Sequence, residues 1–127
     1  MLLCGDVEND TLESWKKEWN SDDEIFFSGI IDYLKIPHHT SKGSDILLDS
    51  LNNVKFFSTS VTTVFRNSNL PNEDLIKRYK KKSDKLYCTG KMKKESIKED
   101  YGMVKLTVDI FNRTIEEKIS KNVEEIL

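Results

Sequence analysis

Large apolar residues near the start of the chain follow the spacing of a helix. Leu12, Trp15 and Trp19 are three and four positions apart, so a helix would place all three on one face. Asp10 or Thr11 is suited to cap its N-terminus. We therefore predict a first helix from residue 10, with the tryptophans either packed on the core or presented to a partner.

A second helix is predicted directly after the first. Residues 21–24, Ser-Asp-Asp-Glu, match the capping box, in which side chains satisfy the free amides of the first helical turn. Pro37 cannot continue a helix, so the element should end near Lys35. Its apolar face would consist of residues at helical spacing: Phe27, Ile30, Ile31 and Leu34.

The middle of the chain mixes helical and extended signals. Residues 44–51 predict a short helix, and residues 73–82 predict another with a narrow apolar face. Residues 54–65 contain some helical spacing, but nearly all of them are β-branched, aromatic or Ser, which favours a strand.

Apolar and polar residues alternate without a break from Val104 to Ile110, which is typical of a strand. We predict that this strand pairs in antiparallel fashion with residues 86–92. Helical spacing through the same positions leaves open an alternative in which one long helix begins at residue 102.

The C-terminal segment is predicted to be an amphipathic helix. Residues 114–117, Thr-Ile-Glu-Glu, form a second capping box. Apolar residues then recur at helical spacing: Ile115, Ile119, Val123 and Ile126.

These elements predict one α+β domain spanning residues 1–127. It would have N-terminal helices, a small antiparallel sheet and a C-terminal amphipathic helix, with an all-α helical bundle as the alternative. A chain of 127 residues has the size of a single domain with one core.

Composition favours a folded intracellular protein, cytoplasmic or nuclear. The chain is 37% hydrophobic and 33% charged, with apolar residues spread along its whole length. The two cysteines have no metal-ligand spacing, and we find neither a signal peptide nor an apolar run long enough to span a membrane. The absence of Ala and Gln and the excess of Lys over Arg indicate an AT-rich genome.

Charge is distributed unevenly along the chain. Residues 1–53 carry a net charge of −7, residues 54–105 carry +7, and residues 106–127 carry −2. Nine basic residues and a single acidic one lie in residues 77–94. This basic segment is interpreted as a solvated face, as a nucleic-acid site, or as a nuclear import signal or dock for an acidic protein.

Binding of nucleic acid is the alternative function that the basic segment supports. Tyrosines are interleaved with the lysines, and single-strand binding combines aromatic stacking with neutralisation of phosphates. A single Arg in the segment and a sequence pI near 5.7 argue against it. The residues for this role, or for docking an acidic partner, are Lys77, Arg78, Tyr79, Lys80, Lys81, Lys82, Lys85 and Tyr87.

Catalytic motifs are absent from the sequence, so we expect neither an enzyme nor a cofactor. The only histidines, His38 and His39, are adjacent in a segment that reads as a surface loop, and adjacent side chains on an extended backbone point in opposite directions. A metal site is therefore not expected. Cys88 lies among lysines, which would lower its pKa if the thiol were exposed, but a structural role is favoured.

Taken together, the sequence predicts a small non-catalytic interaction or regulatory protein that acts by binding another protein. Trp15 and Trp19 are the candidate partner-binding residues because Trp is enriched at interface hot spots. We expect no membrane association.

Overall fold

A five-stranded sheet organises the chain in the computed structural model, which describes residues 1–21, 29–51, 54–65, 69–90, 101–112 and 114–127. The side chains of residues 19–21 lie outside this description. The elements in chain order are β1 (Leu2–Leu3), α1 (Asn9–Ser21), β2 (Gly29–Lys35), α2 (Ile46–Ser50), β3 (Val54–Thr62), α3 (Glu73–Lys81), β4 (Ser83–Cys88), β5 (Val104–Asp109), β6 (Thr114–Ile119) and β7 (Glu124–Glu125). Short 3-10 turns at His38–Thr40 and Lys42–Ser44 connect β2 to α2.

The strands lie in the order β1-β2-β3-β4-β7. The first four are parallel, and β7 closes the sheet antiparallel to β4. Within the described residues, one α-helix lies between each consecutive pair of parallel strands. Right-handed crossovers in this sequential order place all three helices on the same face of the sheet.

The core fills the space between the sheet and these helices. Leu34, Ser60 and Leu86 are aligned across β2, β3 and β4, and all three are buried. They meet helical side chains from every crossover, namely Leu12, Leu47 and Tyr79. Because the helices supply apolar residues at helical spacing, the burial of apolar area stabilises this face.

A two-stranded hairpin of β5 and β6 lies against the opposite face. Its register pairs Val104 with Ile119 and Val108 with Ile115. Paired residues of an antiparallel ladder share a face, so this face of the hairpin is apolar except for Glu117. Glu117 contacts β3 and β4 of the main sheet, so the molecule has three layers: helices, sheet and hairpin.

The predicted fold class is wrong. The described residues form a mixed α/β fold with three helices, a five-stranded mixed sheet and a two-stranded sheet, and they do not form a helical bundle. Residues 86–92 were expected to pair with residues 104–110, but β4 pairs in parallel with β3, and β5 pairs with β6.

The prediction of a C-terminal amphipathic helix is also wrong, since the first half of that segment is strand β6 and its end contains β7. Ile115 and Ile119 are four residues apart, a separation that places side chains together on a helix and also on one face of a strand. The neighbouring strand β5 resolves this ambiguity because it offers a ladder of backbone partners.

The second predicted helix is a strand where it is described, at β2. Residues 30–34, Ile-Ile-Asp-Tyr-Leu, are mostly apolar or aromatic and do not alternate strictly, and periodicity alone cannot separate so short a run from a helix. Most of the predicted capping box, along with Phe27, lies outside the described residues.

Five other predicted elements are confirmed. Helices are found at α1, α2 and α3, and the strands predicted around residues 54–65 and 104–110 correspond to β3 and β5. No helix within the described residues is long and apolar enough to cross a membrane.

Candidate functional site

Polar side chains collect where the parallel strands end. Asp6 and Glu8 follow β1, His38 and His39 follow β2, and Thr63 follows β3. Parallel strands present their carboxyl ends at one edge of the sheet, which is where open α/β sheets hold their ligands. We call these five residues the carboxyl-edge cluster.

The two histidines lie in a strained turn, not on the extended backbone that the sequence suggested. His38, His39 and Thr40 have φ values of 43°, 50° and 57°, a left-handed conformation that is unfavourable for residues other than Gly. A buried 2.6 Å hydrogen bond between the Thr40 and Thr62 hydroxyls ties the turn to β3. The His38 amide donates to the Gly5 carbonyl at 3.1 Å, which also ties it to the segment after β1.

Each histidine faces an acidic residue of the β1 loop. His38 Nδ1 lies 3.4 Å from Glu8 Oε1, and His39 Nε2 lies 3.9 Å from Asp6 Oδ1. The opposite nitrogen of His39, Nδ1, is 2.6 Å from Thr63 Oγ1. Although His and acids meet here, no group of three or more metal-ligating side chains in the described residues could hold a metal ion.

The His39 ring is fixed in orientation as well as in position. It stacks on Phe65 with ring centroids 5.2 Å apart and an angle of 30° between the planes. The Thr63 contact fixes the rotation of the ring about its own axis. The side chain remains about a quarter exposed, so solutes can reach it.

Both thiols lie near this edge, but neither is expected to be reactive because each stays protonated at neutral pH. Burial raises the pKa of Cys4 to about 11 and the pKa of Cys88 to about 12, although the Lys35 charge opposes both shifts. Burial likewise lowers the pKa of the Lys35 ammonium, and the Asp6 charge opposes that shift. Cys4 follows β1 and Cys88 is the last residue of β4. These are the two outer parallel strands, three strand spacings or roughly 14 Å apart, so the two thiols cannot form a disulfide.

The aromatic part of the basic segment is buried. Tyr79 is 0% exposed and Tyr87 is 4% exposed, so neither ring is available for stacking on a base. The structure therefore does not bring these tyrosines together with the lysines on one surface.

Several basic side chains of the segment already contact the rest of the protein. Arg78 forms an ion pair with Asp49 at 3.0 Å, and the Lys82 ammonium donates to the Leu51 carbonyl at 2.8 Å. The others with recorded contacts are Lys77 with Asp74 at 3.8 Å, Lys80 with the Asp84 carbonyl at 3.3 Å, and Lys85 with Glu117 at 3.0 Å. Lys81 is exposed at the end of α3.

The tryptophan pair is only partly described. Trp15 is half-buried and packs against the core, as a structural residue would. The side chain of Trp19 lies outside the described residues.

A cluster of exposed apolar side chains lies instead on the hairpin, which sequence analysis did not recognise as a site. Phe111 is 91% exposed in the turn between β5 and β6. Ile110 beside it is also exposed, as are Val108 and Ile115, which face each other across the two strands. We call these four residues the apolar tip. The signal that could have revealed it is the Ile110-Phe111 pair at a position where turns are usually polar.

The apolar tip is held by Asp109. Its carboxylate accepts hydrogen bonds from the Phe111 and Asn112 amides, each at 3.0 Å, and from the Asn112 side chain at 2.8 Å. The bond from the Asn112 amide is the main reason that the pKa of Asp109 is lowered. The exposed aromatic ring is therefore carried by an ordered turn.

Comparison with known proteins gives no relationship: no protein family, curated protein or solved structure matches this chain.

Proposed function

We propose that the protein acts by binding another protein, and that the apolar tip of the hairpin is its docking site. The observation that carries this proposal is Phe111, a large aromatic side chain that is 91% exposed at the end of a projecting hairpin. Exposed apolar clusters on folded proteins commonly serve as interaction sites, and aromatic residues dominate interface energetics.

The ordered turn makes the tip suitable for tight binding. Asp109 fixes the backbone on both sides of Ile110 and Phe111 before any partner arrives. A side chain presented in its bound arrangement loses less conformational entropy on association. The strength of binding therefore depends on the turn as well as on the aromatic ring.

The shape and chemistry of the tip specify its partner. A projecting apolar residue requires a concave pocket, and the tip itself contains no charged side chain. The partner is therefore a protein with an apolar pocket that receives Phe111, with Ile110 and the Val108–Ile115 pair against its rim.

Other surfaces support a binding role less well. Trp15 is committed to the core, and Tyr79 and Tyr87 are buried. Nucleic-acid binding by the basic segment would rest on its lysines and Arg78, and most of these side chains that are described already contact the protein.

The test compares Phe111→Ser with Thr107→Ala. Thr107 is exposed on the same hairpin but lies on the polar face of β5. Proteins captured from native cells by each variant would be identified, purified and titrated against the wild type. We expect Phe111→Ser to weaken the binding of a direct partner by roughly 30-fold or more, and Thr107→Ala to leave it unchanged.

Two results would overturn the proposal. One is a set of direct partners that bind Phe111→Ser as tightly as the wild type. The other is a wild-type protein that retains no partner above the level of the Phe111→Ser control.

A further inference from the structure

A hydroxyl, an imidazole and a carboxylate lie in series at the carboxyl edge, each supplied by the end of a different parallel strand. Thr63 follows β3, His39 follows β2 and Asp6 follows β1. These strands are neighbours in the sheet, so the series runs across the edge from one strand end to the next. In sequence the three residues are far apart, which is why no motif revealed them.

The order of contacts matches that of an activated nucleophile. Thr63 Oγ1 is 2.6 Å from His39 Nδ1, and His39 Nε2 is 3.9 Å from Asp6 Oδ1. With the ring proton on Nε2, Nδ1 accepts from the Thr63 hydroxyl and the Nε2–H faces the carboxylate. An activated hydroxyl nucleophile is hydrogen-bonded to a base, and a third group orients that base. The contact between the base and the orienting group, here His39 to Asp6, is often long in the absence of substrate.

The backbone around His39 supports a functional role for the ring. Three successive residues adopt left-handed conformations without a glycine, and such strain persists only where the surrounding structure enforces it. The buried Thr40–Thr62 hydrogen bond enforces it here, and the Phe65 ring supports the imidazole from one side. The imidazole is therefore preorganised relative to Thr63.

We propose that Thr63 is a nucleophile for small carboxylic esters, with His39 as its general base and Asp6 as a positioning residue. Thr63 Oγ1 forms a bond to the ester carbonyl carbon as the bond to the leaving alkoxide breaks. The hydroxyl proton passes to His39 Nδ1 and from there to the leaving group. Water then attacks the acyl-threonine, releasing the carboxylic acid and returning a proton to Thr63 Oγ1 through His39.

This proposal is independent of the docking role of the apolar tip. The carboxyl-edge cluster comes from the ends of β1, β2 and β3, whereas the apolar tip is the turn of the hairpin. Loss of one function by mutation is not expected to alter the other.

The experiment uses p-nitrophenyl acetate and the complete chain. Release of p-nitrophenolate is followed by absorbance, and acetylation of individual peptides is followed by mass spectrometry. We expect Thr63→Val, which keeps the shape of the side chain, to lower the site-specific rate by about 100-fold or more. Thr63→Ser retains a hydroxyl and is expected to retain the reaction.

Neighbouring residues supply matched controls for the base. His39→Asn and His38→Asn alter adjacent positions of the same left-handed turn, and Asn tolerates that conformation. Only His39→Asn should remove the reaction, because His38 does not contact Thr63. Asp6→Asn should slow it, and Asp6→Glu should restore part of the rate, as expected of a positioning carboxylate.

Circular dichroism and thermal unfolding of each variant separate loss of chemistry from loss of fold. The proposal is overturned if folded wild type and folded Thr63→Val release p-nitrophenolate at the same rate with no acetyl group on Thr63. It is also overturned if His38→Asn and His39→Asn have equal effects.

Discussion

The two faces of the main sheet are covered in different ways. On one face, three helices bury Leu34, Leu86 and their neighbours almost completely. On the other, the hairpin is attached through Glu117, whose Oε1 accepts from the Thr59 hydroxyl at 3.1 Å. Glu117 Oε2 accepts from the Lys85 ammonium at 3.0 Å and from the Tyr87 hydroxyl at 3.1 Å.

The two faces contribute differently: one provides stability and the other provides a surface for binding. Burial of apolar area is non-directional and cumulative, so the helix-covered face provides most of the free energy of folding. A polar attachment fixes position but leaves much of the apolar hairpin exposed to solvent. The hairpin is therefore the layer that can meet a partner without cost to the core.

The largest effect is expected from the helix-covered face. Leu34 is 0% exposed, so Leu34→Ala should lower the free energy of unfolding by about 2–5 kcal/mol through lost burial and a residual cavity. Urea denaturation measures this change. Leu3→Ala on the neighbouring strand is the control, because Leu3 is 64% exposed and should lose less than about 0.5 kcal/mol. Equal losses for the two variants would contradict the contrast between the faces.

A smaller, local effect is expected from the hairpin attachment. Glu117→Ala removes an acceptor that is only 15% exposed and leaves three donors without it, a loss of about 1–3 kcal/mol. Hydrogen exchange of residues 104–119 should accelerate, while exchange in the helix-covered core remains slow. Glu116→Ala is the matched control, because Glu116 lies on the opposite face and forms an exposed ion pair with Lys118 at 3.2 Å. If both variants exchange like the wild type, Glu117 does not attach the hairpin.

The same contrast explains how much of the fold the sequence predicts. Helix α3 was predicted nearly to the residue because its apolar face is narrow and its lysines lie in solvent. Strand β2 and strand β6 were both assigned to helices. The short, mostly apolar run of β2 fits either element. Two residues four positions apart, such as Ile115 and Ile119 in β6, lie on one side of a helix and also on one side of a strand, so only the neighbouring strand decides.

A third effect concerns the buried thiols. Their pKa values are raised to about 11 for Cys4 and about 12 for Cys88, against about 8.5 in an unfolded chain. The folded state therefore keeps protons that the unfolded chain releases. The contribution of these thiols to stability should be constant below about pH 8.5 and should fall between there and their folded pKa values, by up to ~1.4 kcal/mol per pH unit for each thiol.

Urea midpoints between neutral pH and the alkaline range measure this loss. The double variant Cys4→Ala, Cys88→Ala should lose stability less steeply above pH about 8.5 than the wild type. The same slope in both proteins would show that other groups are responsible.

The candidate sites were harder to predict than the fold because they depend on contacts between distant residues. Asp6, His39 and Thr63 are ordinary residues in sequence, and only the parallel order of β1, β2 and β3 aligns them. For Tyr79 and Tyr87 the sequence suggested a surface position that the structure does not show. Their spacing among lysines favoured an exposed site, but both rings are buried.

The smallest effect on stability should come from the residue with the largest proposed effect on binding. Phe111 is so exposed that Phe111→Ser removes little buried area, and the free energy of unfolding should change by less than about 0.5 kcal/mol. Urea denaturation of this variant should therefore overlay that of the wild type. Asp109→Ala is the informative companion, since it keeps Phe111 but removes the acceptor that orders the turn. If ordering of the turn contributes to docking, Asp109→Ala should weaken partner binding although Phe111 is still present. Full binding by this variant would show that the aromatic ring acts without a preformed turn.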